Sequence, residues 1–198
     1  MARATNSDTE NQRRLEILDA AGEIFADRGI ANTTVRDIGS KVGILSGSLY
    51  YHFRSKDEMV LELLERHLRI FVEEHEAVVR DRPPLEALRA SVRLAVHHSA
   101  RYPTTMQILR NNVSYLRTNP ALASVEKLRQ WNRLLWIGLV KQCIDSGEIR
   151  ADVNADMVVR AMFDSVMGTT RWFPPQGRRR PEAVADQLIA MFLDGLCT

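Results

Sequence analysis

Cysteine is scarce in this chain, with two among 198 residues. Cys143 and Cys197 lie far apart, in helical contexts, with neither metal nor redox spacing, so reduced thiols are expected and a disulfide framework is excluded. Long apolar runs are missing as well. None approaches the roughly eighteen residues of a membrane span, which removes the membrane as a partner. The opening segment, Met1 to Glu10, holds no apolar stretch of the kind a secretory signal needs. It reads as a polar arm, and the chain is expected in the cytoplasm.

Signatures of catalysis are equally sparse. There is no Gly-rich phosphate loop, no His-Glu-x-x-His, no Gly-x-Ser-x-Gly and no paired-cysteine spacing. His97-His98 and Glu73-Glu74-His75-Glu76 contain metal-ligating types, but adjacent histidines on a helix point about 100° apart and do not easily share one ion. A solvated charged face explains them better. These absences argue against an enzyme, and neither cofactor nor metal is expected. Charge of one sign is also in short supply, the net being +2. Its distribution says more: residues 28 to 56 hold Arg28, Arg36, Lys41, Arg54 and Lys56 against Asp37 alone, a local balance of +4.

What is present is helical patterning. Apolar residues make up 45% of the chain and charged residues 26%, as in a soluble globular protein large enough for a small domain beside a larger one. Period-two alternation persists nowhere for a strand's length, so the fold class is all-α, with about nine helices. The first is expected over 9–27, closed by Gly29, with Ile17, Leu18, Ala21, Ile24 and Phe25 on its buried stripe. The fourth runs over 56–80 until Arg82-Pro83-Pro84. Further helices follow over 85–100, 104–117 and 121–145, separated by Tyr102-Pro103 and Asn119-Pro120. Asp152 or Asn154 caps an eighth, which ends near Phe173, and the last opens on Pro181 and runs to about Leu196.

Residues 33 to 58 carry the most information. Thr34-Val35-Arg36-Asp37 has the form of a capping box, so a helix starts near Val35. It presents Val35, Ile38 and Val42 on one stripe, and Gly43 supplies the left-handed residue that stops it. A short helix follows over 46–51, with Leu49 and Phe53 turned inward and Ser46, Ser48, Tyr50, Tyr51 and His52 left outside. Ser55-Lys56-Asp57-Glu58 is a second capping box. Lys56 in the first turn of the helix it opens opposes the helix dipole, which suggests an anion within its reach.

These residues, with Arg13-Arg14-Leu15-Glu16-Ile17-Leu18-Asp19-Ala20-Ala21, Phe25-Ala26-Asp27-Arg28-Gly29, Thr33-Thr34 and Leu49-Tyr50-Tyr51-His52-Phe53, resemble the TetR family of bacterial transcriptional repressors over about the first 65 residues. One departure is clear: the family usually places Ser or Thr where this chain has Leu45, so Ser46 is expected to take over the cap. The stretch Ile44-Leu45-Ser46-Gly47-Ser48-Leu49-Tyr50 and the pair Arg171-Trp172 followed by prolines resemble the actinobacterial branch that represses sterol-ring catabolism and responds to a CoA thioester.

The resemblance implies a helix-turn-helix DNA-binding domain over 1–55 and a helical effector-binding and dimerisation domain over 56–198. It places the recognition helix at 46–51, in the major groove of double-stranded DNA. Ser46 and Ser48 would bond bases or phosphates, Gly47 would let the backbone approach, and Tyr50, Tyr51 and His52 would donate to phosphates. Thr34 and Arg36 would hold the flanking strand and Lys56 the other side. Arg36 is the best candidate for a base contact, since the recognition helix has no Arg, Asn or Gln.

A homodimer would present two such helices to an inverted-repeat operator. Broad apolar faces on the last two helices (Val158, Val159, Met162, Phe163, Val166, Met167; Val184, Leu188, Ile189, Met191, Phe192, Leu196) suit a four-helix bundle with a second copy, unless both are consumed within one subunit. Phe71, His75, Met106, Leu109, Asn112, Trp131, Leu135, Met167 and Trp172 have the mixed apolar and polar character of a small-molecule pocket, or else of ordinary core. An effector bound there would shift the ensemble away from the DNA-binding spacing. Arg178-Arg179-Arg180 reads as a solvated loop, with the phosphates of a CoA-type ligand or of DNA as the alternative.

Overall fold

Local signals along the chain resolve into helices at nearly the expected places. The computed structural model describes residues 6–173 and 180–195, and among these every regular element is helical. The helices are α1 (Asn6–Arg28), α2 (Val35–Val42), α3 (Ser46–His52), α4 (Lys56–Val79), α5 (Pro84–Arg101), α6 (Pro103–Asn111), α7 (Val113–Thr118), α8 (Ala123–Asp145), α9 (Ala155–Trp172) and α10 (Pro181–Ile189). A 3-10 turn at Pro120–Leu122 leads into α8, and a π-helical turn at Ala190–Asp194 extends α10.

The described residues thus hold ten α-helices where about nine were expected, because the segment expected over 104–117 divides in two. Asn112 leaves helical geometry at φ −120°, ψ 26°. Its Oδ1 accepts from the Ile30 amide at 2.8 Å, while its Nδ2 donates to the Ile108 carbonyl at 2.9 Å. No proline or glycine marks this break. At the neighbouring helix starts the caps act as the residue types dictate. Asn119 accepts from the Ala121 amide at the 3-10 turn and Asn154 from Met157 at α9, and Pro84 and Pro181 open helices whose first amides need no partner.

By contacts the chain forms two compact units. One comprises residues up to His67 together with Gln107–Glu126; the other comprises Leu68–Met106 with residues from Lys127 onward. The expected boundary at 55/56 therefore does not match the grouping: the first turns of α4 and the segment around α7 belong with α1 to α3.

In the first unit α2 packs on α1 and on α3, around buried Ile17, Ala21, Phe25, Ile30, Ile38, Leu49, Phe53, Met59, Val60 and Leu64. In the second, α5 is the centre, packed by both α9 and α10. Its core includes Phe71, Leu88, Val92, Val96, Trp136, Val140, Val159, Met162, Leu188 and Leu193. Ion pairs Arg89–Asp194 (2.7 Å) and Arg93–Asp186 (2.9 Å) stitch α5 to α10 and its extension. Much of the apolar face of α9 and α10 is therefore consumed inside one chain: Val159, Met162, Val166, Val184, Leu188 and Ile189 are buried. Val158, Phe163, Met167 and Phe192 are half-buried and Met191 is exposed, while Leu196 lies outside the described residues.

Candidate nucleic-acid interface

The geometry around α3 begins with α2. Thr34 occupies the cap position, its Oγ1 accepting from the Asp37 amide at 3.2 Å and donating to Asp37 Oδ2 at 2.6 Å, while Oδ2 also accepts from the Thr34 amide at 2.8 Å. Those bonds, the Thr34 hydroxyl first, hold the Asp37 carboxyl below the usual carboxylate range. The Thr34 hydroxyl proton is thus committed to the cap. At the other end Gly43 takes φ 72°, as the turn requires.

Gly39 sets the distance between α2 and α3. A Cβ there would lie 2.8 Å from the Ile44 carbonyl oxygen and 3.3 Å from Leu49 Cδ1, so only glycine admits this approach. The sequence held one signal for it, a glycine inside an otherwise well-capped short helix. Leu49 and Phe53 are buried, as the inward stripe of a recognition helix demands. Arg14, which sequence reasoning passed over, locks the far end of α3. Its guanidinium lies 4.0 Å over the Phe53 ring, donates to the His52 carbonyl, and bonds Glu62 at 2.5 Å. The neighbouring Arg13 donates to the Val42 carbonyl at 3.0 Å, closing α2.

Outside this braced helix stand the residues predicted to meet DNA. Tyr51 is 92% exposed and Tyr50 56%; Arg36, Gly47 and Ser48 are exposed, and Ser46 and His52 are half-buried. The helix begins at Ser46, as expected, but Ser46 does not take over the cap. Leu45 sits in the cap position with no side-chain bond and is 82% exposed.

Lys56 departs from expectation. Its Nζ donates to the carbonyls of Ile30 at 2.6 Å and Thr33 at 2.8 Å, and lies 5.8 Å from the centre of the Tyr115 ring. Carbonyl oxygens of the chain hold the ammonium at this helix start. Tyr115 in turn donates to Asp57 at 2.6 Å, and burial, reinforced by that carboxylate, pushes its phenol up to about 12. Lys41 pairs with Glu23 at 2.6 Å. Of the five cations clustered in the sequence, Arg36 on α2 and Arg54 just after α3 remain exposed without an ion pair among those described. The second capping box is offset by one residue: Ser55 Oγ accepts from the Glu58 amide at 3.1 Å, but Glu58 Oε2 accepts from Arg54, not Ser55.

The residues assigned to an effector pocket are spread over both units and over buried and exposed positions. Leu109 and Asn112 belong to the first unit, where Asn112 is the structural tie to Ile30. Trp131 and Trp172 are each 53% exposed. Phe71, His75 and Met106 are buried in the second unit, while Leu135 and Met167 are half-buried. His75 is stacked between Phe71 and Trp136, its ring centre 5.9 Å and 5.4 Å from theirs. Burial pushes the His75 imidazole down to about 4, so it is neutral near pH 7.

The single hydroxyl proton of Ser91 goes to the Ala87 carbonyl at 2.7 Å, so at the 2.8 Å contact between His75 Nε2 and Ser91 Oγ the ring must donate. His75 Nδ1 is then a bare acceptor, buried and unpartnered, as are Asn132 Oδ1 and the donor Trp136 Nε1–H. Sequence reasoning missed Asn132 and Trp136, which carried no signal beyond helical spacing. His98 meets Glu74 at 3.3 Å and His97 meets Glu182 at 3.5 Å. Arg178 and Arg179 lie outside the described residues, and Arg180 is exposed just before α10.

Comparison with known proteins adds to this geometry. Residues 17–63 match the family described as bacterial regulatory proteins, tetR family, and residues 81–196 match the tetracyclin repressor-like C-terminal domain. The HTH-type transcriptional repressor KstR2 of Mycobacterium tuberculosis is 37% identical over 191 residues, 94% of each chain. The solved structure of the ketosteroid transcriptional regulator KstR2 of Mycobacterium tuberculosis is similar with a TM-score of 0.86 at 34% identity, covering 94% of this chain and 95% of that one. AibR, solved in complex with isovaleryl coenzyme A and operator DNA, shares the fold with a TM-score of 0.79 at 23% identity, over 91% of this chain and 98% of its own.

Proposed function

Since the chain belongs to the TetR family of DNA-binding transcriptional repressors, we propose that it works as a homodimer on an inverted-repeat operator and leaves the DNA when a small acyl-CoA-type effector binds. The observation that carries the DNA contact is the division of α3 into two sides. Leu49 and Phe53 are buried and braced by Arg14, while Ser48, Tyr50 and Tyr51 are exposed, as is Arg36 on α2. Phosphates are met by Tyr50 and Tyr51 and, because it stands on α2 rather than on the recognition helix, by Arg36 in place of the base contact first expected of it; these contacts position the helix without choosing a sequence. Dimerisation draws on what α9 and the extension of α10 leave uncovered, Met157 and Met191.

The effector reading is supported by buried polar atoms with nothing to bond. An unpartnered buried donor or acceptor costs about 1–3 kcal/mol, and the second unit contains His75 Nδ1, Asn132 Oδ1 and Trp136 Nε1 in that condition. Ligand groups that offer a separate donor to each of the two acceptors and a carbonyl to the indole would relieve all three. A CoA thioester supplies that carbonyl, and AibR was solved with such a ligand.

The test is a gel shift of the full-length protein on the DNA upstream of its own gene, with and without a panel of acyl-CoA thioesters that includes isovaleryl-CoA. Retardation reversed by one thioester, which also raises the melting temperature, is the expected result. Absence of any retardation removes the repressor reading. Retardation that no thioester reverses removes only the effector class.

A further inference from the structure

We propose that Leu45 reads the 5-methyl group of a thymine in the major groove, making it the residue through which this protein chooses bases by apolar fit. This inference rests on the DNA-binding reading above and goes beyond it.

A singly exposed leucine is ordinary on a protein surface; what singles out Leu45 is its seat. The residue preceding a helix favours Ser, Thr, Asn or Asp by about 1 kcal/mol over aliphatic residues, because a side-chain oxygen there satisfies a helix amide. Leu45 forgoes that bond and, 82% exposed, gives the core nothing in return. Two residues on stands a second choice the fold does not explain. Glycine inside a helix costs about 1 kcal/mol relative to alanine, and a Cβ built on Gly47 would meet nothing within 4 Å. Gly39 shows the contrast, since its missing Cβ is required by the Ile44 carbonyl 2.8 Å away.

The first turn of the recognition helix therefore carries a bulky apolar side chain and a bare backbone, neither of which serves the folded chain. Both make sense against a surface outside it. Gly47 lets the backbone come close, and Leu45 fills what the approach leaves.

Exposed Arg36 on α2 and Arg54 just after α3 give the same helix-turn-helix cations that suit phosphates. Among the four bases only thymine presents a methyl group in the major groove, and an apolar side chain is the group that distinguishes it. No bidentate reader stands on the helix itself, since α3, Ser-Gly-Ser-Leu-Tyr-Tyr-His, holds no Arg, Asn or Gln.

The experiment uses the full-length protein and a duplex bearing the inverted repeat it enriches from a random-sequence pool. Each thymine of one half-site is replaced in turn by deoxyuridine, which removes only the methyl group, and affinities are measured for the unmodified protein and for Leu45→Ala. The unmodified protein should lose about fourfold at one or two positions, the effect of one buried methyl. Leu45→Ala should bind thymine and uracil alike at those positions. Leu45→Ser, which restores a capping residue, should melt no lower than the original and also fail to discriminate, so that loss of fold cannot mimic the result. If the unmodified protein nowhere distinguishes thymine from uracil, or Leu45→Ala distinguishes them equally well, the assignment is overturned while DNA binding stands. Failure to enrich any duplex brings down both.

Discussion

The two units of this chain leave the groups their own folds do not use on opposite sides of their surfaces. In the first, interior polar groups are satisfied by the chain: Lys56 by two carbonyls, Asn112 by an amide and a carbonyl, Tyr115 by Asp57. Its costly choices, Leu45 and Gly47, face outward. In the second, the surface of α5 and α10 is knitted by ion pairs, and the unsatisfied atoms lie within, around His75, Asn132 and Trp136. A unit that reads an external polymer must be internally complete, because any conformational slack is paid again at binding. A unit that responds to a small molecule can leave its interior polar balance for the ligand to close.

The comparison can be broken most severely at Phe53. Phe53→Ala should cost about 3–5 kcal/mol in urea unfolding, since the ring is buried beneath Arg14. A loss under about 1 kcal/mol would mean that α3 is not held from within.

The second unit has its own signature in acid. His75 titrates at about 4 in the folded chain against 6.5 in a free peptide, so above pH 6.5 neither state carries the proton and stability is full. As pH falls from 6.5 towards 4 the unfolded chain gains a proton that the folded one refuses. Stability should then drop by up to about 1.4 kcal/mol per pH unit. Chemical unfolding of the original and of His75→Gln across that window checks this; parallel curves would place the imidazole in water.

Two matched pairs sharpen the contrast further. Gly39→Ala should destabilise by about 1–3 kcal/mol through the clash with Ile44, whereas Gly47→Ala should stabilise by about 0.5–1 kcal/mol and weaken DNA binding. If both moved stability the same way, the outward role of Gly47 would fall.

Lys56→Met should cost about 1–3 kcal/mol, because two carbonyls lose their donor, with the salt dependence of DNA binding unchanged. Arg36→Ala should leave stability within about 0.5 kcal/mol yet lower the slope of log affinity against log salt by about 0.9, the share of one phosphate. Titrations at several salt concentrations separate the two, and an exchange of behaviours would reverse the assignments made from the structure.

Much of the small unit was legible in advance because its signals are local. Thr34 and Asp37 lie three residues apart and need only each other to form a cap. Gly43 needs only its own backbone to adopt φ 72°, and Leu49 and Phe53 followed from helical spacing. What escaped depended on partners distant in sequence. Lys56 reaches carbonyls 23 and 26 residues away, and Asn112 breaks a helix to serve an amide 82 residues away. The faces of α9 and α10 were visible as apolar, but their division between the chain's own core and the outside was not, since a side chain's hydrophobicity does not say which neighbour covers it.

By itself, then, the order of residues determined all but one of the helix divisions, the Thr34 cap, the turn between α2 and α3 and the kinship with DNA-binding repressors, since each depends on side chains a few positions apart. Only the tertiary structure decided that Lys56 spends its hydrogen bonds on distant carbonyls, that Leu45 and Gly47 are left facing out, and that His75 is neutral with a bare nitrogen. Those outcomes turn on burial and on competition among partners that meet only when the chain is folded.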